Sequence, residues 1–173
     1  MTVFIGLLRA VNVGGTGKLA MADLKALCLE AGFSDVSTYI QSGNVVFSTT
    51  LGENEAANLL DETLAAHMGK APGVFLRTHV ELAALLSACP FADKPGNKVS
   101  VFFFEKPFDP TALATMTAPA GEEAAVIGRE VHVHYPEGMG RSKLKLAGLS
   151  KGTARNLNTL RKLEAMAGAL LAG

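Results

Sequence analysis

Val36–Ser48, VSTYIQSGNVVFS, holds two β-rich runs, Val36–Ile40 and Asn44–Ser48, around Gln41-Ser42-Gly43. β-branched and aromatic residues on both sides of a short polar turn with glycine predict a β-hairpin. Outward on each side lies a helix pattern. In Met21–Ala31 the apolar positions Leu24, Leu27, Cys28 and Ala31 follow i, i+3, i+4, i+7 spacing, and Gly32 then Phe33 mark its stop. In Asn54–Met68 the stripe is Ala57, Leu60, Leu64 and Met68, closed by Gly69. Val3–Leu8 (VFIGLL) and Val74–Arg77 add a strand at each end.

The order is β-α-β-β-α-β, the ferredoxin-like supersecondary pattern. That arrangement puts its first and third strands in the middle of the sheet. VFIGLL and VVF, the most apolar runs, occupy those two places. Pattern and topology agree, which is the strongest sequence argument for the fold.

The remainder reads as a partial repetition without sequence identity to the first half. Glu81–Ala88 is a short helix ended by Pro90, and Val99–Phe104 (VSVFFF) a buried strand. Thr111–Thr117 is a weak helix, Ala124–Ile127 and Val131–Tyr135 pair across a turn, and a last helix runs from about Thr153 to Leu171. The expected class is α+β: two ferredoxin-like βαββαβ-type units, residues 1–80 and 81–173. The second is incomplete by one strand, which it would share or swap with the first. Pro72 and Arg77–His79 mark the seam.

Composition sets the bounds. The 173 residues are 49% apolar and 18% charged, ample for a core and poor in surface charge. No run approaches the ~18 apolar residues of a membrane span. With no signal-peptide pattern and only Cys28 and Cys89, lacking any CxxC, the expected location is the cytoplasm. There is no Trp, and base stacking would fall to nine Phe that sit mostly in core-like runs.

Charge is unevenly placed. The 16 basic and 16 acidic residues cancel, yet residues 138–173 carry 7 basic against 1 acidic, and residues 1–137 carry 9 against 15. Such a dipole draws anions to the basic end. Within it, Arg141, Ser142 and Lys143 follow two glycines in a loop with a guanidinium fork, a hydroxyl and an ammonium, groups that together suit a phosphate. If the last helix begins at Thr153 as N-cap, Arg155, Asn158, Thr159 and Lys162 share an outward polar face opposite Leu157, Leu160 and Leu163. Asn156 then falls on the core side and is expected to bond loop backbone. Pairing of the basic tail with the acidic half, within the chain or in a homodimer, is the structural alternative.

Other chemistry is thin. Gly14–Lys18 (GGTGK) is not a Walker A motif, because Asn12 and Leu19 stand where Gly and Ser or Thr are needed. Gly14–Gly17 reads as a flexible turn. His132 and His134 share a strand face and are expected to be exposed, with no third metal ligand; no metal or cofactor is expected. Neither a nucleophile–base pair nor a carboxylate pair emerges, and no reaction is named.

The blocks LLRAVNVGGTGKLAMADLKALCLEAGFSDVSTYIQSGNVVF and GMGRSKL…TARNLNTLRKL together resemble the two signature blocks of a bacterial family, domain-of-unknown-function family 1697. The resemblance implies two small α+β units and no transferable activity. Its patterned polar positions fall here on Arg9, Asn12, Gln41, Ser42, Asn44, Arg141, Ser142, Lys143, Arg155, Asn156 and Thr159. Leu157 stands where the family often has Trp. Three uses of these residues follow: binding of a phosphate-containing ligand or nucleic acid, an enzyme site where the two blocks meet, or a structural role.

Overall fold

Two four-stranded antiparallel sheets organise the chain in the computed structural model, which describes residues 1–13 and 17–173. Gly14, Gly15 and Thr16, part of the expected glycine turn, lie outside the described residues. One compact unit comprises Met1–Ala83 with Lys162–Gly173, the other Ala84–Arg161.

In the first unit, β1 (Thr2–Leu8), α1 (Met21–Glu30), β2 (Ser34–Tyr39), β3 (Asn44–Thr49), α2 (Glu53–Met68) and β4 (Val74–Thr78) follow the expected βαββαβ order. The sheet runs β2-β3-β1-β4, so the two most apolar strands are central. Phe4 and Leu8 of β1 and Val45 and Phe47 of β3 form one wall of the core. Leu24 and Cys28 of α1, with Ala56, Leu60 and Leu64 of α2, form the other. Phe33 stacks on Phe47 with centroids 4.2 Å apart. The end of α1 explains its placement: Gly32 takes φ +93, Gly32 N donates to Leu29 O, and Phe33 N donates to Cys28 O. This left-handed cap turns the chain so that Phe33 folds back on the helix it has just left.

The second unit holds β5 (Val99–Phe103), β6 (Glu123–Ile127), β7 (Glu130–His134) and β8 (Thr153–Asn156), ordered β6-β7-β5-β8. This is the strand order of the first sheet, and it corrects the expectation of a missing strand. The fourth strand is Thr153–Asn156, a stretch whose sequence pattern assigns it to the last helix. It pairs with β5 from Ser100↔Asn156 to Phe103↔Thr153. Among the described residues no α-helix lies between β5 and β8. The unit's crossovers are 3₁₀ turns at Pro110–Thr115, Met139–Arg141 and Leu149–Lys151. With the segment leading into the last of them they cover one sheet face, Leu146 and Leu149 packing against Phe102, Val131, Val133 and Tyr135.

Two helices remain: α3 (His79–Ala88) and α4 (Leu157–Ala172). Thr153 is not the cap of α4. Asn156 is, its side-chain oxygen accepting from Thr159 N at 2.9 Å. Asn156→Ala should therefore lower stability by about 1 kcal/mol, read as a shift of the urea midpoint at unchanged slope.

Cys28 and Cys89 are buried free thiols, and burial pushes the Cys28 thiol up to about 12. Among the described residues no helix is long and apolar enough to cross a membrane.

Candidate functional site

β5 and β7 present Phe102 and, just past β7, Tyr135 as one wall of a pocket in the second unit. The segment Met139–Ser150 supplies much of the rest, through Ser142, Leu144, Lys145, Leu146 and Leu149. Its volume is about 740 Å³, within the range of small-molecule sites. Thr117 and Lys145 exchange both backbone hydrogen bonds at 2.9 Å, which pins the main chain of the basic segment across the pocket. The Lys145 side chain remains exposed, as do Arg141 and Lys143. None of these three cations, nor Lys162, pairs with a carboxylate of the described residues.

Behind the loop sits a carboxylate that no sequence pattern marks. Glu122 is 5% exposed; its Oε1 accepts from Ala120 N at 2.8 Å and its Oε2 from Ser142 Oγ at 2.6 Å. The Ser142 bond holds the Glu122 carboxyl below the usual range, so it stays ionised near neutrality. Ser142 Oγ also accepts from Leu144 N at 3.1 Å. Its single proton is thus committed to Glu122, and Ser142 ties the loop down instead of facing an anion. Burial, with the Glu122 charge as a second cause, pushes Tyr135 up to about 12. Its hydroxyl is a permanent proton donor at physiological pH.

Arg155 and Thr159 correct the expected outward face. Arg155 lies on β8 and is 7% exposed. Its Nη1 donates to Thr153 Oγ1 at 2.7 Å and to Ala154 O at 2.9 Å. Burial lowers its guanidinium to about 10, still charged. Thr159 is buried in the first turn of α4. For Arg155 the cause is that a strand alternates sides every residue, so helical angles do not apply to residues 153–156. Thr159 is within the helix and is buried because it shares a face, at i and i+4, with the core residue Leu163. Lys162 keeps its exposed place.

The first-block residues shape two adjoining loops. Asn12 donates to Leu19 O and Gln41 O at 2.8 Å each and accepts from Leu19 N at 2.9 Å. Asn44, fully buried, donates to Tyr39 O and Ser42 Oγ. Ala10, Asn12 and Ile40 take φ of +56, +55 and +49, conformations that cost about 1 kcal/mol or more each in non-glycine residues. The Asn12 and Asn44 bonds offset that strain. Arg9 and Gln41 are exposed, and Asn12, Lys18, Leu19, Ala20 and Gln41 line a second hollow of about 360 Å³.

His132 and His134 are buried, not exposed as expected. Both faces of this strand are covered, a property that alternation cannot reveal. Among the described residues no three His, Cys, Asp or Glu are grouped to hold a metal.

Two α+β units with ferredoxin-like strand order, each carrying part of the patterned polar set, define the class of this protein. The chain belongs to the family described as "Protein of unknown function (DUF1697)", whose family model matches residues 1–132. Among solved structures it is similar to the conserved bacterial protein SP0830 from Streptococcus pneumoniae. The two are 23% identical with a TM-score of 0.79, over 96% of this chain and 98% of that one. That likeness concerns the fold. A comparison with curated proteins finds no match.

Proposed function

We propose that this protein is a binding module for a small anionic ligand with an apolar body, of nucleotide size, seated in the pocket of the second unit. The observation that supports this reading is the combination of an apolar wall with cations that have no carboxylate partner among the described residues. Phe102, Tyr135, Leu144, Leu146 and Leu149 offer contact surface, while Lys145 stands at the wall and Arg141 and Lys143 flank it. Glu122 repels an anion from the Ser142 end, so the acidic group of the ligand lies toward Lys145.

A compact ligand is favoured over a polynucleotide because none of the nine phenylalanines is exposed as a stacking platform. The enzyme reading has less support, since the buried carboxylate beside the pocket, Glu122, is held ionised by a serine and is a weak base.

Calorimetric titration with adenosine monophosphate, and with inorganic phosphate alone, tests the proposal. The nucleotide should bind in the micromolar to millimolar range, and Lys145→Glu should weaken it about tenfold or more, as expected for a directly contacting charge. Arg155→Ala should leave affinity unchanged and lower stability. No heat and no chemical-shift change with the nucleotide at millimolar concentration overturns this reading. A polynucleotide bound through four phosphate contacts gives instead a log–log salt slope of about −3.6.

A further inference from the structure

Each sheet has two edges, and three of the four are blunted. β2 is broken by a register shift between Ser34 and Ser37, with Asp35 at φ +52. β4 carries Arg77, whose Nη1 donates to the backbone oxygen of Leu76 at 2.9 Å. β8 is four residues long and carries Arg155. β6 has none of these devices. Its register against β7 runs unbroken from Glu123↔His134 to Ile127↔Glu130. It contains no proline, and its one charge is at its start. Among the described residues β7 is the one strand paired with it, and no backbone hydrogen bond joins its outer side to another segment. An unbroken apolar edge of this kind is a template for another strand.

We propose that the outer edge of β6 pairs with β6 of a second copy of this chain, antiparallel about a two-fold axis at Ala125, joining two four-stranded sheets into one of eight. The strand is self-complementary in that register. Ala125 meets its own image, Ala124 faces Val126, and Glu123 faces Ile127, which is 39% exposed. Small side chains at the axis let the backbones close. Charge fits as well: the pairing brings Glu123 of one copy to the end where Arg129 of the other follows Ile127, a diagonal within reach of long side chains. Like charges do not meet anywhere along the strand. This pairing is independent of the ligand pocket.

A five-residue edge buries less than the ~1,600 Å² of a standard interface, so the dimer forms in a concentration-dependent way. Sedimentation equilibrium from about 1 μM to about 1 mM should show monomer passing to dimer. Ala125→Lys and Ala125→Glu each place two like charges across the axis, and each should weaken self-association at least tenfold. An equimolar mixture of the two should associate again. Glu123→Lys, on an exposed position and judged folded by circular dichroism, should weaken the dimer because it sets two cations together. Wild-type protein that stays monomeric at millimolar concentration, or an Ala125→Lys variant that dimerises as wild type does, overturns the proposal.

Discussion

Gly43→Ala should lower the stability of the first unit by about 3 kcal/mol, a combination of backbone strain and overpacking. Gly43 closes the hairpin turn between β2 and β3 at φ +89, where an L-residue costs about 1 kcal/mol. Space is the larger problem. A Cβ there meets Val11 Cγ2 at 2.5 Å and Leu8 Cβ at 2.9 Å, and both neighbours are buried with no more than 1% exposure. Neither can move outward, because Leu8 is on the central strand and its N–H donates to Gly43 O. Gly128→Ala supplies the control. That glycine sits in the equivalent turn between β6 and β7 at φ +59, and a methyl added there meets nothing within 4 Å. Strain then acts alone, and the loss should be about 1 kcal/mol. Urea unfolding of both variants checks the difference. Equal midpoints for the two would show that the turn yields and that the Leu8–Val11–Gly43 packing is not fixed.

That turn also shows how far the sequence can be read. The hairpin, both helices and the central positions of β1 and β3 are legible because periodicity and turn chemistry are local signals. So is the cap at Gly32. β8 is not legible. Thr-Ala-Arg-Asn has no alternation of its own, precedes a long helical pattern, and becomes a strand only because β5 offers it a partner at Val101 and Phe102. Treating it as helix carries Arg155 onto a surface it does not reach. The site escapes a sequence reading for a related reason. Ser142 does lie in a loop, but its partner Glu122 is twenty positions earlier in a stretch with no pattern, and only folding brings the two within 2.6 Å. Arg141, Lys143 and Lys162 read as exposed cations, and they are exposed. The exposure of these cations is legible from sequence; the burial of Arg155 on a strand and the hydrogen-bond partner of a loop hydroxyl are not.

Acid should unfold this protein through His132. Both ring nitrogens of His132 are fully buried with no hydrogen-bond partner among the described residues, and the residue has no exposed surface. It lies mid-strand on β7, between Val101 of β5 and Ala125 of β6, neither of which can accept or donate through its side chain. Burial therefore lowers its imidazole from 6.5 to about 4. The native ring stays largely neutral until pH approaches about 4, while the ring of an unfolded chain takes up a proton as pH falls below its ordinary value. Protons then favour the unfolded state. The penalty is absent above pH 6.5, grows as pH falls, and levels off below about 4 at about 3 kcal/mol, from 1.36 kcal/mol per unit of displacement. Arg155 stands opposite Val101 on the same face of the sheet, so a protonated His132 would also meet a buried cation there. His132→Leu removes both the titration and two unsatisfied nitrogens. It should raise stability at pH 7 and flatten the loss between pH 6.5 and 4 relative to wild type. Carboxylates such as Glu122 titrate in both proteins and cancel in the difference. Chemical denaturation of the pair at half-unit pH steps gives the comparison directly. Parallel curves across that range would mean that His132 finds a proton partner in the native state and that acid sensitivity arises elsewhere.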